Sequence, residues 1–186
     1  MLLTQKLMGY VDIPNGKVDI TDPCYNRSTW CRINDVTVKP GSYRCRYYMG
    51  AALEPYEIEE IKEACKDWGK TDKETEEFIE MDKKSIKGRC FVIELQLKGR
   101  AFKLNSPKWE EIGDIGVDAG LAGFFWNKPD FKDGEWSKFC DAMDSSKVAY
   151  LNKDMGFWVQ SGYGDGFYNV YAIKEKDEII ALRICF

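Results

Sequence analysis

Apolar and polar residues alternate over much of this chain, a period of two that marks half-buried antiparallel strands. "KVDI" (17–20) puts Val18 and Ile20 on one face before the turn "TDPCYN". In "SYRCRYYM" (42–49), Tyr43, Cys45, Tyr47 and Met49 share one side, with Arg44, Arg46 and Tyr48 opposite. "RCFVIELQL" (89–97) turns Phe91, Ile93, Leu95 and Leu97 inward and Glu94 and Gln96 outward. "EIIALRICF" (178–186) repeats the device with Ile180, Leu182, Ile184 and Phe186. This last segment predicts a strand held inside a sheet and intolerant of truncation.

Helical spacing interrupts the alternation. In "EPYEIEEIKEACKDWG" (54–69), Ile58, Ile61, Cys65 and Trp68 recur on one face, and Gly69 supplies a stop. Thr71 and Glu74 form a T-x-x-E capping box opening a second helix, with Phe78 and Met81 expected to pack inward. "WSKFCDAM" (136–143) sets Trp136, Phe139, Cys140 and Met143 at i, i+3, i+4 and i+7. Residues 54–88 are charge-rich and read as a helical excursion from a β core. No internal repeat, low-complexity run or linker divides the chain. The expectation is one α+β domain over residues 1–186, mainly antiparallel β, sandwich-like or a curled sheet, with two or three helices packed on one face or edge.

Composition narrows the chemistry. At 186 residues and 44% hydrophobic content, the chain is long and apolar enough for a sizeable core. A net charge of -4 argues against nucleic acid as the main partner. No run approaches the ~20 apolar residues of a membrane span. "MLLTQKLMGYVDI" lacks the apolar core of a signal peptide, so the expected location is cytoplasmic, with no membrane partner. The seven cysteines are irregularly spaced without a CxxC, and read as reduced thiols acting as small apolar residues. Histidine is absent, which removes Ser-His-Asp and Cys-His nucleophiles and imidazole metal ligands.

Three corners remain as candidate sites. "SGYGDGFYNVY" (161–171) has glycine at 162, 164 and 166 around Tyr163 and Asp165, followed by an aromatic strand containing Phe167 and Tyr168. A dinucleotide fingerprint needs a helix there, so the segment reads as a hairpin or bulged corner, or as a binding loop presenting an aromatic face. "ITDPCYNRSTW" (20–30) ends a strand at Asp22 and carries Cys24, Tyr25 and Arg27; a reactive Cys24 would have only Arg27 nearby to lower its pKa. "GVDAGLAGFFW" (116–126) sets Asp118 among small residues. If Asp22, Asp118 and Asp165 converge, they could bind Mg²⁺ or Ca²⁺ through oxygen, or divide acid and base roles. If they do not, they are turn residues bonding nearby amides.

At these segments the chain resembles a β-rich domain of unknown function found in bacteria and their phages. The carrying residues are "DPCY" (22–25), "VKPGSYRC" (38–45), "GVDAGLAGFF" (116–125), "SGYGDGFYNVY" (161–171) and "EIIALRICF" (178–186). The similarity covers both ends and the centre but not residues 54–88. The resemblance implies an intracellular accessory protein, phage-borne, and brings no established substrate or catalytic residue.

The functional expectation is a non-enzymatic binding module for a small, nucleotide-like ligand or a host protein, with no catalytic residues and no resident cofactor. Its ligand-binding candidates are Asp22, Tyr25, Arg27, Asp118, Tyr163, Asp165 and Tyr168. Arg27, Arg32, Arg44 and Arg46 are natural phosphate contacts, or else the cations of an exposed strand face. The alternative is a metal-dependent hydrolase using the three aspartates with Mg²⁺ or Ca²⁺.

Overall fold

The computed structural model describes residues 1–132, 134–143 and 146–186. Six strands make one sheet: β1 (Leu2–Ile13), β4 (Gly41–Ala52), β5 (Cys90–Leu97), β11 (Glu178–Cys185), β10 (Gly166–Glu175) and β6 (Glu110–Val117), in that spatial order. Five more make the second: β3 (Ile33–Thr37), β2 (Lys17–Thr21), β7 (Leu121–Phe125), β9 (Gly156–Gln160) and β8 (Ala149–Asn152). Neighbouring strands run antiparallel throughout both sheets.

The two sheets share one core, so the fold is a sandwich. Ile13, Tyr43, Ile93, Leu95 and Leu182 from the first sheet meet Val18, Ile20, Phe124, Phe157 and Val159 from the second. Alternation puts these side chains on the facing surfaces, and burial of their apolar area holds the layers together. Tyr43 enters this core with its hydroxyl satisfied, donating to the Lys39 carbonyl at 2.6 Å.

Two expected inward residues leave the shared core, and a bulge accounts for each. Tyr48 faces Val92 while Met49 faces Cys90, so Phe91 is the extra residue. Phe91 packs instead with Tyr48, Ile86 and Val92. Between β10 and β11, Ile180 is skipped in the same way and joins Ile173, Ala181, Phe102 and Trp109. A bulge inserts one residue into one strand and shifts which face its side chain takes.

The excursion at 54–88 is a helix pair, α1 (Pro55–Asp67) and α2 (Asp72–Ile86), with α2 packing on β4. The capping box forms: Thr71 Oγ1 accepts the Glu74 N–H, and the Glu74 carboxylate accepts the Thr71 N–H. Met81 does not pack inward but is exposed; Ile79 and Ile86, two turns apart, are buried instead. α3 (Glu135–Asp141) lies against the other sheet, where Phe139, Cys140 and Met143 pack on Leu121, Phe125 and Trp158.

Glu94 and Gln96 point away from the shared core, yet not into water, because part of residues 98–109 covers them. Glu94 is 0% exposed. Its Oε2 accepts from Arg46, Tyr48 and Gln96, each at 2.9 Å, and its Oε1 accepts from Arg183 Nε at 2.9 Å. Arg183 also donates to the Leu104 carbonyl and lies over the Trp109 ring at 3.9 Å. Arg46 is therefore a buried counter-ion, neither an exposed strand cation nor a free phosphate contact. Arg44 turns to the same cover, donating to the Arg100 carbonyl at 2.7 Å.

Candidate functional site

The three predicted corners meet at one end of the sandwich, and they meet through main-chain amides. β2 ends at Thr21, and Pro23 holds the following residues in a turn. This drives Asp22 inward, where its carboxylate is fully buried. Asp22 Oδ1 accepts the Cys24 N–H at 2.8 Å, while Oδ2 accepts the N–H groups of Asp118 at 2.9 Å and Ala119 at 2.8 Å. Gly120 then binds the glycine corner in both directions: its N–H donates to Asp165 Oδ1 at 3.0 Å, and its carbonyl accepts the Ser161 N–H at 2.9 Å.

Two of the three carboxylates are thus committed to holding turns, and the Asp118 side chain is exposed. Among the described residues, no group of three or more His, Cys, Asp or Glu side chains is arranged to hold a metal ion. Burial pushes the Asp22 carboxyl above its ordinary range, against the opposing pull of its amide partners. Asp22 and Asp165 act as clasps, and Asp118 joins them only through its main-chain N–H.

The aromatic candidates separate. Tyr168 is buried, donates its hydroxyl to the Gly164 carbonyl at 2.9 Å and packs edge-on to Phe186, so it belongs to the scaffold. Tyr163 is 64% exposed, and its ring leans edge-on against Phe91 with centroids 5.4 Å apart. It rims an open cleft of about 360 Å³ shared with Arg89, Cys90, Gln160 and Ser161. The Cys90 thiol there is pushed up to about 12 by burial, which keeps it protonated and inert at neutral pH.

Arg27 belongs to a different place, a polar cleft of about 270 Å³ beside the β2–β3 hairpin, and Tyr25 reaches its wall only through a bond from Lys128. Arg27 spans two carboxylates, donating to Asp19 Oδ2 at 2.6 Å and pairing with Asp35. Asp19 is buried and also takes Arg32 Nη2 at 2.9 Å and the Asp35 N–H at 2.9 Å. Arg32 is thereby a buried structural cation rather than a phosphate contact. The Tyr25 carbonyl, not its ring, serves the cleft: it accepts Arg32 Nη1 and Lys128 Nζ, each at 2.8 Å. Lys17, Trp126 and Lys128 complete the walls.

Lys128 is the residue that sequence reasoning passed over. Its ammonium is half-buried and donates to the carbonyls of Tyr25 and Pro129. It also lies 4.7 Å from the Phe131 ring centroid. Among the described residues no carboxylate comes within ion-pair distance of it. Burial, then the nearby Arg32, lowers its pKa from the ordinary lysine value. The only sequence signal was a lysine before a proline in "NKPD", which reads as a turn. In comparison with known proteins, no family model, no curated protein and no solved structure matches the chain.

Proposed function

We propose that this chain is a binding module, acting inside the cell without turnover, and that it takes a small anion in the cleft walled by Lys17, Arg27 and Lys128. The observation that carries the reading is Lys128, a partly desolvated ammonium at the cleft wall whose direct partners are carbonyls, with Asp19 and Asp130 acting on it only from beyond ion-pair distance among the described residues. Carbonyl dipoles compensate a buried cation less well than an anion does, so an arriving anion gains a charge-assisted hydrogen bond. Asp19 and Asp35, the acids of the cleft, are already engaged by Arg27 and Arg32. The volume suits a phosphate- or carboxylate-bearing metabolite, and Trp126 offers an apolar wall beside it. Sequestering such a phosphorylated small molecule is an accessory role that fits the resemblance to phage-borne domains.

Thermal melting with inorganic phosphate, a dicarboxylate and nucleoside mono- and triphosphates tests this, because a ligand of the native state raises its stability. At least one anion is expected to raise Tm in the wild type and to raise it less in Lys128→Met. Unchanged melting with every anion would sink the cleft reading. A protein partner is the second reading, favoured by one observation. Trp30 and Phe167 are 81% and 62% exposed with ring centroids 5.9 Å apart, a solvent-facing aromatic pair of the kind that anchors interfaces.

A further inference from the structure

We infer that Cys24 and Cys140 form a redox site, a dithiol that a low-molecular-weight disulfide such as oxidised glutathione converts into a cross-link between the 22–27 loop and α3. The sulfurs stand 3.0 Å apart although 116 positions separate the residues in sequence. A disulfide requires about 2.05 Å, so bonding asks for a shift of roughly 1 Å. The other five cysteines have no second thiol within hydrogen-bonding distance among the described residues, and four of them are buried. Cys24 and Cys140 are each only partly buried.

The surroundings supply a route and an anchor. Cys140 lines an open cleft of about 390 Å³ together with Gly120, Met143, Tyr150 and Ser161, so an oxidant reaches its sulfur first. Cys24 is held behind it, its N–H fixed on the Asp22 carboxylate. The exchange has two steps. The Cys140 thiolate attacks one sulfur of glutathione disulfide, that S–S bond breaks, and one glutathione thiolate leaves. The Cys24 thiolate then attacks the Cys140 sulfur of the mixed disulfide and expels the second glutathione. Two protein thiols are oxidised, one glutathione disulfide is reduced, and the two protons pass to the departing thiolates. Burial, the Cys140 contact and the Asp22 carboxylate push the Cys24 thiol upward, which makes the second step slow and the response one to sustained oxidant. None of this depends on what the Lys128 cleft binds.

The test equilibrates the full chain in glutathione buffers of rising oxidised fraction, alkylates the remaining thiols and maps them by mass spectrometry. The expected product has two of the seven thiols protected and a Cys24–Cys140 cross-linked peptide. Its Tm is higher by roughly 5–10 °C, because closing so long a loop restricts the unfolded chain. Cys24→Ser and Cys140→Ser should each abolish both the cross-link and the Tm gain. Cys140→Ala, at a partly exposed position, serves as the second variant if either serine chain folds poorly. Seven alkylated thiols in strongly oxidising buffer, a cross-link mapping elsewhere, or a glutathione adduct on Cys140 that never resolves would each overturn the inference.

Discussion

The Asp22 carboxylate accepts the main-chain N–H of Ala119 at 2.8 Å, joining loops that lie 97 residues apart. With its bonds to Cys24 and Asp118, this one side chain satisfies three amides at the corner where both sheets end. Asp22→Ala leaves those donors without their acceptor and should cost about 2–4 kcal/mol, the penalty of unpaired buried polar groups. Urea denaturation at neutral pH measures it. A loss below about 1 kcal/mol would mean that water replaces the carboxylate.

The same residue predicts a pH dependence. Burial raises the folded Asp22 carboxyl above its ordinary 3.8, so the folded chain holds that proton more tightly than the unfolded chain does. The resulting stability is fully present below 3.8 and is lost as pH rises through the raised folded value. Relative to Asp22→Asn, which cannot titrate, the wild type should therefore weaken as the pH climbs from 3.8. Denaturation curves across that range that stay parallel for the two proteins would contradict the assignment.

Glu94 carries the largest expected single cost. It neutralises Arg46 and Arg183 in a space closed to water. Glu94→Gln should cost about 3–5 kcal/mol, because two cations stay buried without a counter-charge. Replacing Glu94, Arg46 and Arg183 together by apolar residues of similar size should recover most of that loss. If the triple variant is as unstable as Glu94→Gln, the network does more than balance charge.

Two glycines of the same corner should respond differently to alanine. A Cβ at Gly162 would overlap the Cys90 carbonyl oxygen, a rigid main-chain neighbour. At Gly164 there is open space, and the obstacle is only a φ of +84°. Gly164→Ala should cost about 1 kcal/mol and Gly162→Ala clearly more. Equal Tm losses in thermal melts would remove the distinction.

The alternation in 42–49 and 89–97 revealed both strands, their pairing class and most of the residues they give to the shared core, Phe91 excepted. It could not reveal the cover that part of residues 98–109 lays over Glu94 and Gln96, beneath which Glu94 pairs with Arg46. Period two reports which side a residue takes, not what later lies on that side. Phe91 and Ile180 escaped for a related reason, since a bulge is a property of two strands and neither carries the signal alone. At the candidate site, the turn chemistry of Asp22 and Asp165 was legible because proline and glycine flank them. The Lys128 cleft was not, because it joins Lys17, Arg27 and Trp126 across a distance that no local pattern spans.

β11 lies between β5 and β10, in the interior of the six-stranded sheet. A ribosome makes β5 long before it makes β11, so the β5 edge that will receive it stays open while β6 to β10 are synthesised. Until Cys185 has emerged, Ile93 and Leu95 have no β11 neighbour in the sheet, and the nascent chain displays a strand-hungry ladder. Closure of this sheet consequently waits on β11, and the growing chain is most exposed to mispairing in the interval between the synthesis of β5 and that of β11.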